Sequence, residues 1–159
     1  LLKDFTGYLQ TDGYQAYEWF GRQNNITLLG CWAHARRKFE KALDYDRDRA
    51  GYVMEQIQEL YAIEREAREL ELDPDRRKQL YLDKALPVAN KLGRELSEMY
   101  RDVLPKSPPG DALNYTIPRW DSLLAYLYDG MLEIDNNLVE NSIRPDALGP
   151  EELSFCRIA

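Results

Sequence analysis

Asp12 and Glu140 stand apart from the other acidic residues by context, Asp12 at the end of a predicted strand and Glu140 on a short predicted helix among Asn and Arg. Two carboxylates brought together can hold a hard divalent cation through oxygen, or divide acid and base work in a hydrolase such as a glycosidase. Each also has a plain reading. Asp at a strand end is a common turn residue, and Glu in a first helical turn complements the helix dipole. Residue type and position alone leave this open. The lone histidine, His34, precedes a basic run, Arg36, Arg37, Lys38 and Lys41, interrupted only by Phe39 and Glu40. Such a run is either a solvated helix face or a local contact for a polyanion. Arg144 lies one turn after Glu140, where it can orient the carboxylate or neutralise a phosphate.

These residues need elements to position them. Gly7 to Asp12 reads as a short strand with Gly13 as the turn after it. Ala16, Tyr17 and Phe20 recur at helical spacing over Tyr14 to Phe20, and the apolar run Ile26 to Cys31 reads as a buried strand. Strand, helix and strand make a βαβ corner, which places Asp12 on the strand-end edge where open α/β sheets bind ligands. From Trp32 onward the pattern is helical. Phe39 and Leu43 share one face, and Val53, Ile57, Leu60, Tyr61 and Ala67 mark a long amphipathic helix between Arg49 and Leu72, with its Glu/Arg pairs on the polar side. Asp73 and Pro74 start another helix. Leu92, Leu96, Met99 and Val103 follow at core spacing, with Pro87 as a kink or boundary. Pro105 to Gly110 reads as a loop, and Trp120, Leu124, Leu127 and Met131 resume the helical period. The last helix begins near Asp135, Asn136 and Asn137 and ends by Arg144, because Pro145 disfavours helix before it. On it, Val139 and Ile143 anchor one face and leave Glu140 to point into a site.

The formal net charge of -7 argues against a protein that coats nucleic acid by bulk electrostatics, so any DNA contact must be local. Two distant cysteines and one histidine cannot close a structural zinc site; Cys31 is expected to pack in the core. No signal-like or long apolar stretch supports secretion or a membrane span, and a cytoplasmic location is expected.

Three blocks in order carry a resemblance. Leu9-Gln10-Thr11-Asp12-Gly13-Tyr14 with Ala16-Tyr17 is the first, and Gly30 through Phe39 is the second. Ile134-Asp135-Asn136-Asn137 with Glu140 and Ile143-Arg144-Pro145 is the third. Together they resemble the signature blocks of insertion sequence 66 family transposases, and softer matches extend the likeness to about Gly149. The resemblance implies a ribonuclease-H-like core whose Asp-Asp-Glu triad holds two divalent ions, magnesium or manganese, for DNA strand cleavage and transfer. Asp12 would be the second Asp and Glu140 the Glu. Two such metals stabilise the attacking and leaving oxygens of an in-line displacement. On this match His34 orients a phosphate or water, Arg36, Arg37 and Lys38 contact DNA backbone without reading sequence, and Asn137 and Arg144 join them. Asn136 and Asn137 also read simply as helix caps.

The implied organisation is an α/β, mostly helical chain. It comprises a partial core over 1–46, a helical insertion over 47–130, a core helix over 131–149, and an atypical acidic tail over 150–159 where the family pattern is basic. The first catalytic Asp is expected upstream of residue 1, so the chain alone is expected not to cut DNA. A corner lacking its neighbouring strands leaves an open sheet edge, for which pairing with a second copy is one remedy. The competing expectation is a non-catalytic helical DNA-binding or interaction module left from a decayed transposase.

Overall fold

The computed structural model describes residues 7–11, 26–135 and 157–158. Strand β1 (Gly7–Thr11) pairs in parallel with β2 (Ile26–Gly30), Gly7 opposite Ile26 and Thr11 opposite Gly30. The helix expected over Tyr14–Phe20 lies outside the described residues, as do Asp12 and the acidic stretch up to Cys156. On its other side β1 pairs antiparallel with the two-residue β3 (Arg157–Ile158), giving the order β2-β1-β3. The β1 edge expected to lie open therefore has an intramolecular neighbour. Leu9 and Gln10 point to opposite faces of β1 yet both are buried, so this strand is covered on both sides.

The rest of the described chain is helical. Helix α1 (Trp32–Ala42) follows β2 after a single residue, Cys31, and buries Trp32, Ala35, Phe39 and Ala42 along one stripe. Helix α2 (Arg47–Glu69) buries Ala50, Val53, Ile57, Leu60, Glu64 and Ala67 at spacings of three and four. Helix α3 (Pro74–Leu80) starts as predicted, with the Asp73 carboxylate accepting from the Arg76 amide and Pro74 in the first turn. It runs through a π-helical stretch (Tyr81–Ala85) into α4 (Leu86–Asp102), so Pro87 leaves one continuous rod. Pro87 has no N–H for the carbonyl four residues back, and the widened turn before it absorbs the mismatch. Helix α5 (Pro108–Thr116), a 3-10 turn (Ile117–Arg119), α6 (Trp120–Leu124) and a second 3-10 turn (Ala125–Tyr128) bring the chain back to the sheet. Helix α1 packs on α2 and α5, and α6 packs on β2, so one core spans both layers.

Three sequence expectations change. Pro105–Gly110 is only half loop, because Ser107 caps the Gly110 amide and Pro108 opens α5, where a missing N–H costs nothing. Met131 is exposed instead of continuing the core stripe, since the helical period ends in the 3-10 turn. Glu64 lies in the apolar stripe of α2 and is buried, where it pairs with Arg68 one turn on, instead of standing on the exposed polar side.

The start of α2 supplies a direct test of local coding. Asp46 accepts from the Arg49 amide at 3.1 Å and from its guanidinium at 2.9 Å. These bonds hold the carboxyl below its ordinary range. Asp46→Ala is expected to lose about 1 kcal/mol in urea denaturation at neutral pH. The loss should shrink as the pH falls through the depressed pKa, where wild type gives up the same bonds.

Candidate functional site

The parallel pairing puts the C-terminal ends of β1 and β2 side by side, Thr11 opposite Gly30. The chain arriving from the helical layer closes against this edge. On the way Gly130 passes the first turn of α3, where a Cβ would collide with the Pro74 carbonyl oxygen. Leu132 and Ile134 are then buried, and the Trp32 amide donates to the Ile134 carbonyl at 3.3 Å. From β1, the buried Gln10 amide donates to both the Gly30 and the Glu133 carbonyls, each at 3.4 Å. From α2, the Tyr61 hydroxyl donates to the Asp135 carboxylate at 2.6 Å. The strand that leads to Asp12, the turn between β2 and α1, and the segment that leads to Glu140 thus meet at one place.

Electrostatics support that arrangement. Burial and the neighbouring Asp135 push the Tyr61 hydroxyl well above its ordinary pKa, with Arg36 pulling the other way. Tyr61 therefore stays protonated and serves as a fixed donor to Asp135. Asp135, expected as a helix cap, is a buried acceptor.

The predicted site residues are placed as follows. His34 lies half-buried in the first turn of α1, its amide donating to the Cys31 carbonyl at 3.1 Å. Cys31 is buried, as expected. Arg36 and Arg37 are exposed and Lys38 is half-buried. The run divides around the helix: Arg36 acts on Tyr61, whereas the Lys38 ammonium lies 5.2 Å from the ring centroid of Tyr115 on α5. Asp12, Asn137, Glu140 and Arg144 lie outside the described residues. Among the described residues there is no group of three or more His, Cys, Asp or Glu side chains able to hold a metal ion.

Sequence reading passed over Gln10 and Tyr61 as site-building residues. Gln10 has a detectable signal, a polar side chain in a strand whose neighbours call for burial on both faces. Tyr61 has none, because an aromatic in an amphipathic stripe reads as core until its hydroxyl partner is known.

The profile described as Transposase IS66 family matches residues 1–158. Uncharacterized protein y4jD of Sinorhizobium fredii (strain NBRC 101917 / NGR234) is 36% identical over 161 residues, covering 97% of this chain and 31% of that protein. Uncharacterized protein y4qI of the same organism is 34% identical over 160 residues, covering 92% and 28%. The chain thus spans about three tenths of the length of these curated relatives. No solved structure gave a significant match. No helix of the described residues is long and apolar enough to cross a membrane. With the profile matching residues 1–158 and y4jD 36% identical across 97% of this chain, the chain belongs to the IS66 family of transposases.

Proposed function

We propose that this chain is part of the catalytic region of a DDE transposase that cuts and joins DNA strands with divalent metal, acting on transposon ends and target DNA. Asp12 and Glu140 are the metal ligands contributed here, and a further Asp comes from elsewhere in the longer protein. The observation that carries the reading is the convergence of β1, the Cys31–Trp32 turn and the Glu133–Asp135 segment at one edge. It supports the reading that Asp12 and Glu140, 128 apart in sequence, share one site. In this reading residues 1–46 and 131–149 belong to a ribonuclease-H-like core, and 47–130 form a helical insertion between them. Residues 150–159 are a variant tail. The protein works in the cytoplasm.

The residue types suit magnesium or manganese. Both are hard cations that take carboxylate oxygens, and a pair of them would stabilise the attacking and leaving oxygens of phosphoryl transfer. Asp135, buried and held by Tyr61, fixes the chain five residues ahead of Glu140. In this reading His34 and Arg36 meet phosphate at the same edge, and Asn137 and Arg144, close to Glu140 in sequence, serve the same role. With one Asp missing, the isolated chain binds metal weakly and does not cleave.

The test is calorimetric titration with magnesium and manganese of three proteins: this chain, a form extended to carry the first Asp, and the extended form with Asp12→Ala and Glu140→Ala. Metal binding by the extended form that disappears in the double variant is the expected result. Binding that survives the double substitution, or no binding by the extended form, would refute the assignment and favour a non-catalytic module.

A further inference from the structure

We infer that a DNA-backbone contact surface runs from the outer face of α1 onto the 3-10 turn after α5, built from Arg37, Lys38, Lys41 and Arg119 around Tyr115. It rests on the transposase reading for the identity of the polyanion, and extends it to a surface outside the metal site.

Arg37, Lys38 and Lys41 fall within a sector of about 100° on α1, Arg37 and Lys41 opposite its buried stripe and the half-buried Lys38 at the border toward α5. Lys38 reaches across to Tyr115, and the Arg119 guanidinium lies 4.6 Å from the centroid of the same ring. Arg119 is further tied by donation to the Tyr115 carbonyl at 3.1 Å. Two cations from different elements thus converge on one aromatic ring, which limits the side-chain freedom they would lose on meeting a phosphate. Arg37, Lys38 and Lys41 form no ion pair among the described residues, whereas Arg49, Arg68, Arg76 and Lys84 each sit against a carboxylate. Arg65, Lys78 and Lys106 form no ion pair among the described residues either, so what sets Lys38 and Arg119 apart is their grouping around one ring, in a chain of net charge -7. The arrangement fits a partner whose own charge is negative and regularly spaced. Lys38 and Lys41 offer point charges and the Arg119 guanidinium lies against the Tyr115 ring, so backbone contact without sequence preference is the mode the set fits.

Labelled duplex DNA of two unrelated sequences is titrated with this chain by fluorescence anisotropy over about 50 to 200 mM salt. Lys38→Gln/Lys41→Gln/Arg119→Gln should weaken binding about tenfold or more on both sequences alike. It should also flatten the dependence of log K on log salt by roughly 0.9 per lost contact. The triple Arg65→Gln/Lys78→Gln/Lys106→Gln removes the same charge from exposed positions elsewhere and should bind nearly as wild type. Lys38→Arg/Lys41→Arg/Arg119→Lys should bind as wild type too, which separates loss of charge from loss of fold. The surface is wrong if the two neutralised triples lose affinity equally, if neither loses any, or if wild type does not bind. Because metal binding depends on Asp12 and Glu140 and on none of these positions, either proposal can fail while the other stands.

Discussion

Trp32→Ala is expected to cost about 3–5 kcal/mol of folding stability, a large share of the roughly 5–15 kcal/mol available to a domain of this kind. Trp32 is the first residue of α1 and is completely buried. Its indole N–H donates to the Leu123 carbonyl at 2.9 Å, and its ring meets Trp120 edge to face with centroids 5.7 Å apart. Alanine leaves a cavity between sheet and helices, and it also strips a partner from a carbonyl near the end of α6, where intrahelical donors are lacking. In urea the midpoint should fall while the slope is retained. A loss below about 1 kcal/mol would mean that the two layers are not joined through this side chain.

Tyr81→Phe should produce the second largest effect, about 2–3 kcal/mol near neutral pH, and the effect should depend on pH. The buried Tyr81 hydroxyl donates to the Glu64 carboxylate at 2.7 Å, and Arg68 approaches its other oxygen at 3.2 Å. Burial nevertheless outweighs these partners and raises the Glu64 pKa. A carboxyl raised in this way contributes stability that is complete below its unfolded pKa and is lost as the pH rises through its folded value. Removing the hydroxyl raises the folded value further, so the deficit of Tyr81→Phe should be small near pH 4 and grow toward pH 7. Glu64→Gln removes the titration and keeps an acceptor for Tyr81; relative to wild type it should gain stability as the pH rises. Urea denaturation at pH 4.5 and 7.5 checks both. A Tyr81→Phe deficit that is the same at both pH values would show that Glu64 is not the group the hydroxyl serves.

Much of the frame was legible because it depends on local rules. The run Ile26 to Cys31 and the alternation into Thr11 predict the two strands, and the Asp73-Pro74 pair predicts a helix start whose cap is found at 3.0 Å. What escaped depends on neighbours distant in sequence. Glu64 looked like one more member of a charged helix face, and only Tyr81 and Arg68 explain its burial. Pro108 and Pro109 read as loop, because proline is a breaker everywhere except in the first turn, and only the Ser107 cap identifies that turn. In the site, spacing grouped Arg36, Arg37 and Lys38 as one basic run. Their division depends on Tyr61 lying to one side of α1 and Tyr115 to the other, which no pattern within the run encodes. The two carboxylates were singled out by context and resemblance, and the structure adds the Gln10 and Tyr61 bonds to the backbone and carboxylate just ahead of Glu140.

The bond from the Trp32 amide to the Ile134 carbonyl has a bearing on how this architecture tolerates change. The chain departs from the sheet and comes home at the same doorway, so everything between is a closed excursion whose two ends are pinned together. Lengthening such an excursion is cheap, since doubling a flexible loop adds only about 0.6 kcal/mol of closure entropy. An exposed tip such as Leu70–Glu71 can therefore be lengthened, or host a foreign domain, while the packed helices and the threshold at residues 32 and 134 stay where they are.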